Sequence, residues 1–349
     1  MSYQRMVWAP SLALALALTG CGSKTGEADA AAAAAASNEA KIADALSAML
    51  PSMAASSKVM DWDGTILKQG DGPYTCMPTP PHQAKAGLKS PMCMDAPWLA
   101  WAQAWNKHET PGSSVSALGV SYMLAGDSGA SNTDPYAVAA TADNEWVVEG
   151  PHLMILVPDP ALLEGIPTDP ANGGPYVMWK GTPYAHVMVP VNIPPRAAAG
   201  DAIADALSAG NAAMAAHAKV VDWDMKTLKE GAGPYTCMPT PPMLKGTAPM
   251  CMDAPWMGWA HAWMSKGAVD TKALGISYML AGDEGASNID PFAEGPTDDN
   301  EWVVEGPHLM LIVPDPALLE GIPTDPANGG PYVMWKGTPY QHVMVPVAD

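Results

Sequence analysis

The chain has 349 residues, more than one ordinary core needs, so two domains are the first expectation. Its 17 Lys and Arg stand against 36 Asp and Glu, a formal net charge of −19. That balance excludes nucleic acid as a partner, which needs a basic footprint, and excludes adhesion to anionic lipid through basic clusters. With 15% charged and 48% hydrophobic residues the chain is folded rather than disordered, and its 13 Trp and 24 Met against a single Phe are its oddest feature.

In chain order, Met1 to Arg5 carries one positive side chain, and Met6 to Leu18 is an apolar run dominated by Ala and Leu. The run is too short to cross a bilayer comfortably but suits the apolar region of a signal peptide. It ends in Leu18-Thr19-Gly20-Cys21, which resembles the lipobox of bacterial lipoproteins. The resemblance implies cleavage after residue 20, acylation of Cys21 and a lipid anchor in the cell envelope. Gly22, where some enterobacterial lipoproteins carry a retention Asp, implies the outer membrane, facing the periplasm or the cell surface. Residues 21–40 show no apolar periodicity and read as a flexible tether, although Ala30 to Ala36 has high helix propensity.

The remainder is one domain written twice, over residues 41–191 and 203–349, with a Pro- and Ala-rich linker over 192–202. Ile42 to Ala48 recurs as Ile203 to Ala209, and Gly72 to Pro81 recurs as Gly233 to Pro242. Glu145 to Val191 recurs as Glu301 to Val347 with changes only at Ile155/Leu311, Leu156/Ile312 and Ala185/Gln341. Length changes between Pro81 and Pro91, and between Trp105 and Leu118, place loops there. A period this long is a domain rather than a solenoid unit.

Within each copy the spacing of Leu46, Met49, Met53 and Val59 predicts a helix from Asp44 to Val59, blemished by Pro51. Copy two has Ala212 at that position and reads as the cleaner helix. Cys76 with Cys93, and Cys237 with Cys251, give an even pair per copy and predict one disulfide each in an oxidising compartment. A soft-metal site from Cys76-Met77 and Met92-Cys93-Met94 is the competing reading. Asp95 before Ala96-Pro97 reads as an N-cap, and Trp98, Trp101 and Trp105 then fall on one helix face. That stripe is either core or, if exposed, a platform for sugar rings. Strands follow over Ala117–Leu124, Glu145–Val148, His152–Val157, Tyr176–Trp179 and Tyr184–Val189. The expected fold class is α+β: two tandem copies of one domain, each an antiparallel sheet covered by two helices.

The sharpest chemical pattern is a repeated His-x-Met. It occurs at His152/Met154 and His186/Met188, and again at His308/Met310 and His342/Met344. Residues two apart on a strand share a face, so pairing of the two strands would gather imidazoles and thioethers, with Met123, Met178 and Trp179 nearby. Thioether with imidazole suits copper, above all Cu(I). The same residues also fit a packed core in which Met fills gaps and each His bonds locally.

Other strings carry less. Gly126-Asp127-Ser128-Gly129 copies the surroundings of a serine-protease nucleophile, but copy two reads Gly282-Asp283-Glu284-Gly285 and has no nucleophile. Asp61-Trp62-Asp63 reads as a turn, and Asn132, Asp134, Asp143 and Glu145 match no EF-hand spacing. No dinucleotide, phosphate-loop or zinc-protease motif is present. The sequence therefore predicts an envelope lipoprotein presenting two tandem binding domains, with copper at the His-x-Met faces as the specific expectation. A small ligand or an envelope partner is left unspecified. A secreted hydrolase and a carbohydrate-binding surface protein are the alternatives.

Overall fold

A computed structural model describes residues 37–112, 115–195, 200–242, 244 and 246–349. The chain divides into a first unit, residues 1–40, and a second, residues 41–349. Of the first unit only residues 37–40 are described, and they are helical; the signal peptide, Cys21 and most of the tether lie outside the described residues.

Copy one begins with a helical turn over residues 41–46 (α1) and a short α2 (Pro51–Ala54). The expected single helix from Asp44 to Val59 is thus broken, because Pro51 has no N–H to donate and starts a new helix instead. Its last residues belong to β1 (Lys58–Met60). Then follow β2 (Ile66–Lys68), β3 (Thr75–Met77), α3 (Pro81–Lys85), β4 (Met92–Met94), α4 (Ala96–Asn106) and β5 (Gly119–Met123). The second half holds β6 (Ala130–Ser131), β7 (Trp146–Val147), β8 (His152–Leu156), β9 (Tyr176–Met178) and β10 (His186–Pro190).

Copy two repeats the series. Its helices are α5 (Ala202–Leu207), α6 (Ala212–His217) and α7 (Ala254–Met264). Its strands include β13 (Thr236–Met238), β14 (Met250–Met252), β15 (Gly275–Met279), β18 (His308–Ile312), β19 (Tyr332–Met334) and β20 (His342–Pro346). Although it lacks the proline, its first helix is broken as well. Asn211 caps α6 by accepting from the Met214 N–H at 3.0 Å, and any Cβ at Gly210 would lie 2.1 Å from Met214 Cε.

Each copy forms one eight-stranded sheet, in copy one ordered β2-β1-β3-β4-β5-β8-β10-β9. The pairs are antiparallel except β1 with β3, which run parallel. The α+β class therefore holds, with helices on both faces of each sheet. The strand expected at Glu145–Val148 is not in the sheet; Trp146 and Val147 pair with Ser131 and Ala130 in a separate ribbon. Cys76 and Cys93 face one another on β3 and β4 and are joined as a disulfide, as are Cys237 and Cys251 on β13 and β14.

The period-two alternation sorts side chains onto two faces. One face carries Val59, Val120, Tyr122, Leu153, Ile155, Val177, Val187 and Val189, all buried, together with the disulfide. These residues share a single hydrophobic cluster with their counterparts in copy two, including Val220, Tyr278, Leu309, Leu311 and Val343. The two sheets therefore pack face to face, and each copy supplies half of one core. Backbone bonds cross the seam reciprocally, from Leu118 N–H to Leu318 O at 2.9 Å and from Leu274 N–H to Leu162 O at 3.0 Å. Gly173, at φ 75°, has the Ala213 backbone so close that a Cβ would sit 2.6 Å from it.

The opposite face of each sheet has its own core, covered by α4 in copy one and α7 in copy two. Both helices start at an aspartate: Asp95 accepts from Trp98 N–H at 3.0 Å and from Val120 N–H at 2.6 Å, pinning helix to sheet. Asp253 makes the same two bonds to Trp256 and Ile276.

Candidate functional site

The outer face of copy one is a field of thioethers. Alternation places Met77, Met92, Met94, Met123, Met154, Met178 and Met188 on it, with His152, His186 and Ser121. Across β8 and β10, Met154 stands directly opposite Met188, and across β9 and β10, Met178 stands opposite His186. Directly opposed residues on paired strands have Cβ atoms about 5 Å apart, so these four donors form one patch over three strands.

The two histidines do not converge. His152 pairs with Pro190, so His186 lies four residues further along the neighbouring strand, about 13 Å of chain. The antiparallel register brings the methionines of the two His-x-Met motifs together and sends their imidazoles to opposite sides of the pair. In copy two Met310 faces Met344, while His308 pairs with Pro346 and His342 with Met334.

His186 is enclosed by indoles. Its ring meets those of Trp98, Trp101 and Trp179 edge-on, with centroids 5.3, 5.5 and 5.0 Å away. Its Nδ1 lies 2.9 Å from Tyr184 O. A carbonyl only accepts, so Nδ1 carries the proton and Nε2 is left with its lone pair. Burial pushes the imidazole down to a pKa of about 4, so it is neutral at physiological pH. His342 repeats this arrangement with Tyr340 O at 3.0 Å and Trp256, Trp259 and Trp335 around it, and is pushed down equally.

A cavity of about 310 Å³ opens over this patch. Its walls include Met92, Met123, Met154, Met178, Met188 and His186, with Trp98, Trp101, Trp105 and Trp179 above them. The loop that leads from β6 to β7 contributes Pro135, Tyr136 and Val138 to its mouth. Trp98 and Trp101 are 1% and 6% exposed, so they are walls rather than an open platform for sugar rings. Their indole N–H groups have no acceptor, and the same holds for Trp256 and Trp259.

His152 belongs to a different neighbourhood. Its Nδ1 lies 2.8 Å from Gly150 O, and its Nε2 is 4.0 Å from Asp127 Oδ2 with no hydrogen-bond partner. Burial raises the Asp127 carboxyl, opposed by the His152 imidazole and by the Gly129 and Glu149 N–H groups. Glu149 beside it is raised by burial too, and accepts from the Tyr176 hydroxyl at 2.9 Å. His308, Asp283, Glu305 and Tyr332 repeat the cluster. A histidine beside a buried carboxylate is what a general base needs, but no nucleophile is aligned on it. The Ser128 oxygen accepts from Lys89 N–H, and Glu284 replaces Ser128 in copy two.

Among the described residues, no three His, Cys, Asp or Glu side chains come together to hold a metal ion. Cys76, Cys93, Cys237 and Cys251 lie on the inner face and are oxidised to disulfides, so they offer no thiolate to the outer face. Sequence reasoning found the His-x-Met face but missed the indole cage. The missing signal was that α4, which follows β4 directly and is pinned by Asp95, must lay its Trp stripe across that same face.

The chain matches no known protein family, no curated protein and no solved structure.

Proposed function

We propose that the protein binds monovalent copper in the thioether cavity of the first repeat and at the matching His342 face of the second, and that acylated Cys21 holds it in the cell envelope, at the outer membrane. The observation that carries this reading is His186. It is a neutral imidazole whose Nδ1 is committed to Tyr184 O, leaving Nε2 as a donor in a cavity walled by Met154, Met178 and Met188. Thioethers and a neutral imidazole, which outnumber the two lining carboxylates of Asp127 and Asp134, match a soft monovalent cation better than calcium or magnesium. A carbonyl fixing the far nitrogen is the usual support of a metal-bound histidine. Indole faces around the site add cation–π attraction in a dry setting. A lipid anchor supplies the membrane contact that an acidic surface cannot make by itself.

The test is titration of the full chain with Cu(I) under reducing conditions, followed by bound metal and by quenching of Trp fluorescence. One copper per repeat is expected, with His186→Ala and His342→Ala each removing one and the double variant removing both. Binding that is absent, or unchanged in the double variant, sinks the proposal. The anchor is tested separately: Cys21→Ser should release the protein from the membrane fraction.

A further inference from the structure

We infer that the two outer-face sites exchange their ligand at different rates, because a tyrosine latch ties down the loop beside the first and is missing from the loop beside the second. The inference deepens the copper reading and rests on it for the identity of the ligand. The loop over residues 132–145, which connects β6 to β7, lends Asp134, Pro135, Tyr136, Ala137 and Val138 to the wall of the first cavity. The loop is tethered in both copies by an indole: Trp105 Nε1 donates to Pro135 O at 3.0 Å, and Trp263 Nε1 donates to Pro291 O at 2.8 Å.

In copy one a second tie exists. The Tyr136 hydroxyl donates to the Tyr184 hydroxyl at 2.7 Å, which in turn donates to Glu109 O at 3.0 Å, just beyond the end of α4. The His108 ring stacks on Tyr136 with centroids 4.1 Å apart. Loop, strand entry and helix end are thus joined by one chain of hydrogen bonds. Tyr184 is also the residue whose carbonyl sets the His186 tautomer, so the latch closes onto the residue that orients the proposed donor.

Copy two keeps the rings and loses the bond. Phe292 takes the place of Tyr136 and meets Tyr340 at nearly the same angle, 80° against 83°, while the Tyr340 hydroxyl donates to Gly267 O at 2.8 Å. Lys266 replaces His108 and lies over the Phe292 ring at 4.7 Å. With equivalent ring placement, the Tyr136–Tyr184 bond is the tie that the second loop lacks. One hydrogen bond of ordinary strength slows opening about threefold to tenfold.

Two measurements on the full chain test this. Amide hydrogen exchange of the metal-free protein should show residues 136–144 protected about threefold to tenfold more than residues 292–300. Tyr136→Phe should abolish the difference, and Phe292→Tyr should slow the second loop. Copper release to excess bicinchoninate should then be slower from the first site, read in His342→Ala, than from the second, read in His186→Ala, with the same two swaps reversing the order. Equal exchange in the two loops, or exchange unaffected by Tyr136→Phe, overturns the latch. Absence of copper binding overturns the copper reading alone, since hydrogen exchange decides the latch without metal.

Discussion

His186 and Asp95 are buried titratable groups on the same outer layer, and they pull stability in opposite directions. His186 and His342 are held at about 4, below the ordinary 6.5 of an imidazole. Between those values the unfolded chain binds the proton and the folded one does not. Their contribution is therefore complete above pH 6.5 and is lost as pH falls towards 4, at about 1.4 kcal/mol per pH unit for each. Burial raises Asp95 and Asp253 to about 7, from 3.8, against the pull of the backbone N–H groups they accept. The folded chain keeps those protons, so this contribution is complete below pH 3.8 and is lost as pH rises to 7. From pH 4 to 6.5 the two pairs cancel. Replacing both histidines by Phe should uncover the aspartates: stability should then fall with rising pH across that window by about 3 kcal/mol per unit, measured by urea unfolding. A flat profile in the variant would refute the assignment. These residues were partly legible beforehand. Alternation alone puts His186 and Met188 on one face, and the Asp-x-Pro start identifies Asp95 as a cap. What alternation cannot supply is register, and register separates His152 from His186 while it sets Met154 against Met188.

At the scale of elements, the five-residue strands and the three-residue β9 were readable, whereas the three-residue strands of the first half were not. β5, β8 and β10 each offer enough alternation to be seen; β1, β3 and β4 are too short for any period to emerge and are specified by their partners. Their cohesion depends on the cross-strand disulfides. Cys76 and Cys93 are 17 residues apart and Cys237 and Cys251 are 14 apart, so each closes a loop of a size that constrains the unfolded chain by about 3 kcal/mol. Paired Cys→Ser substitution in one copy should lower stability by about that amount in chemical unfolding, and the loss should be similar whichever copy carries it. The broken first helix has a more local lesson. Pro51 marked the weak point in copy one, although the expected helix runs through it, whereas Asn211 and Gly210 in copy two act through a cap and a close approach that a helical wheel does not reveal.

At the scale of the whole molecule, the repeats lean on each other through one core, and the seam is almost but not wholly symmetric. The Tyr122 hydroxyl donates across it to Pro346 O at 3.1 Å. Its counterpart Tyr278 makes no such bond: Pro190 O accepts from Asn211 Nδ2 at 3.3 Å instead, and the Tyr278 hydroxyl stays buried without a partner. Tyr122→Phe should therefore cost about 1 kcal/mol, while Tyr278→Phe should be neutral or stabilising, because it removes an unsatisfied polar group. Thermal unfolding of the two variants checks the sign. Sharing of the core also predicts one cooperative transition for the full chain. The halves should stay together after cleavage at a protease site built between Pro195 and Gly200; separation on gel filtration in native buffer would contradict a common core. Duplication was plain from the sequence, but this mutual burial was not, since an apolar strand face does not announce what covers it.

The mutual burial has a consequence for how the two halves can change. A substitution on an inner face is felt by both copies at once, so Val187 and Val343, or Tyr122 and Tyr278, are constrained as pairs. The two outer faces belong to separate hydrophobic clusters that share no side chain. Tyr136 and Phe292, His108 and Lys266, and Val138 and Glu294 have already parted company there. Selection can thus retune one site while its twin keeps the original setting, and neither adjustment disturbs the foundation that both stand on.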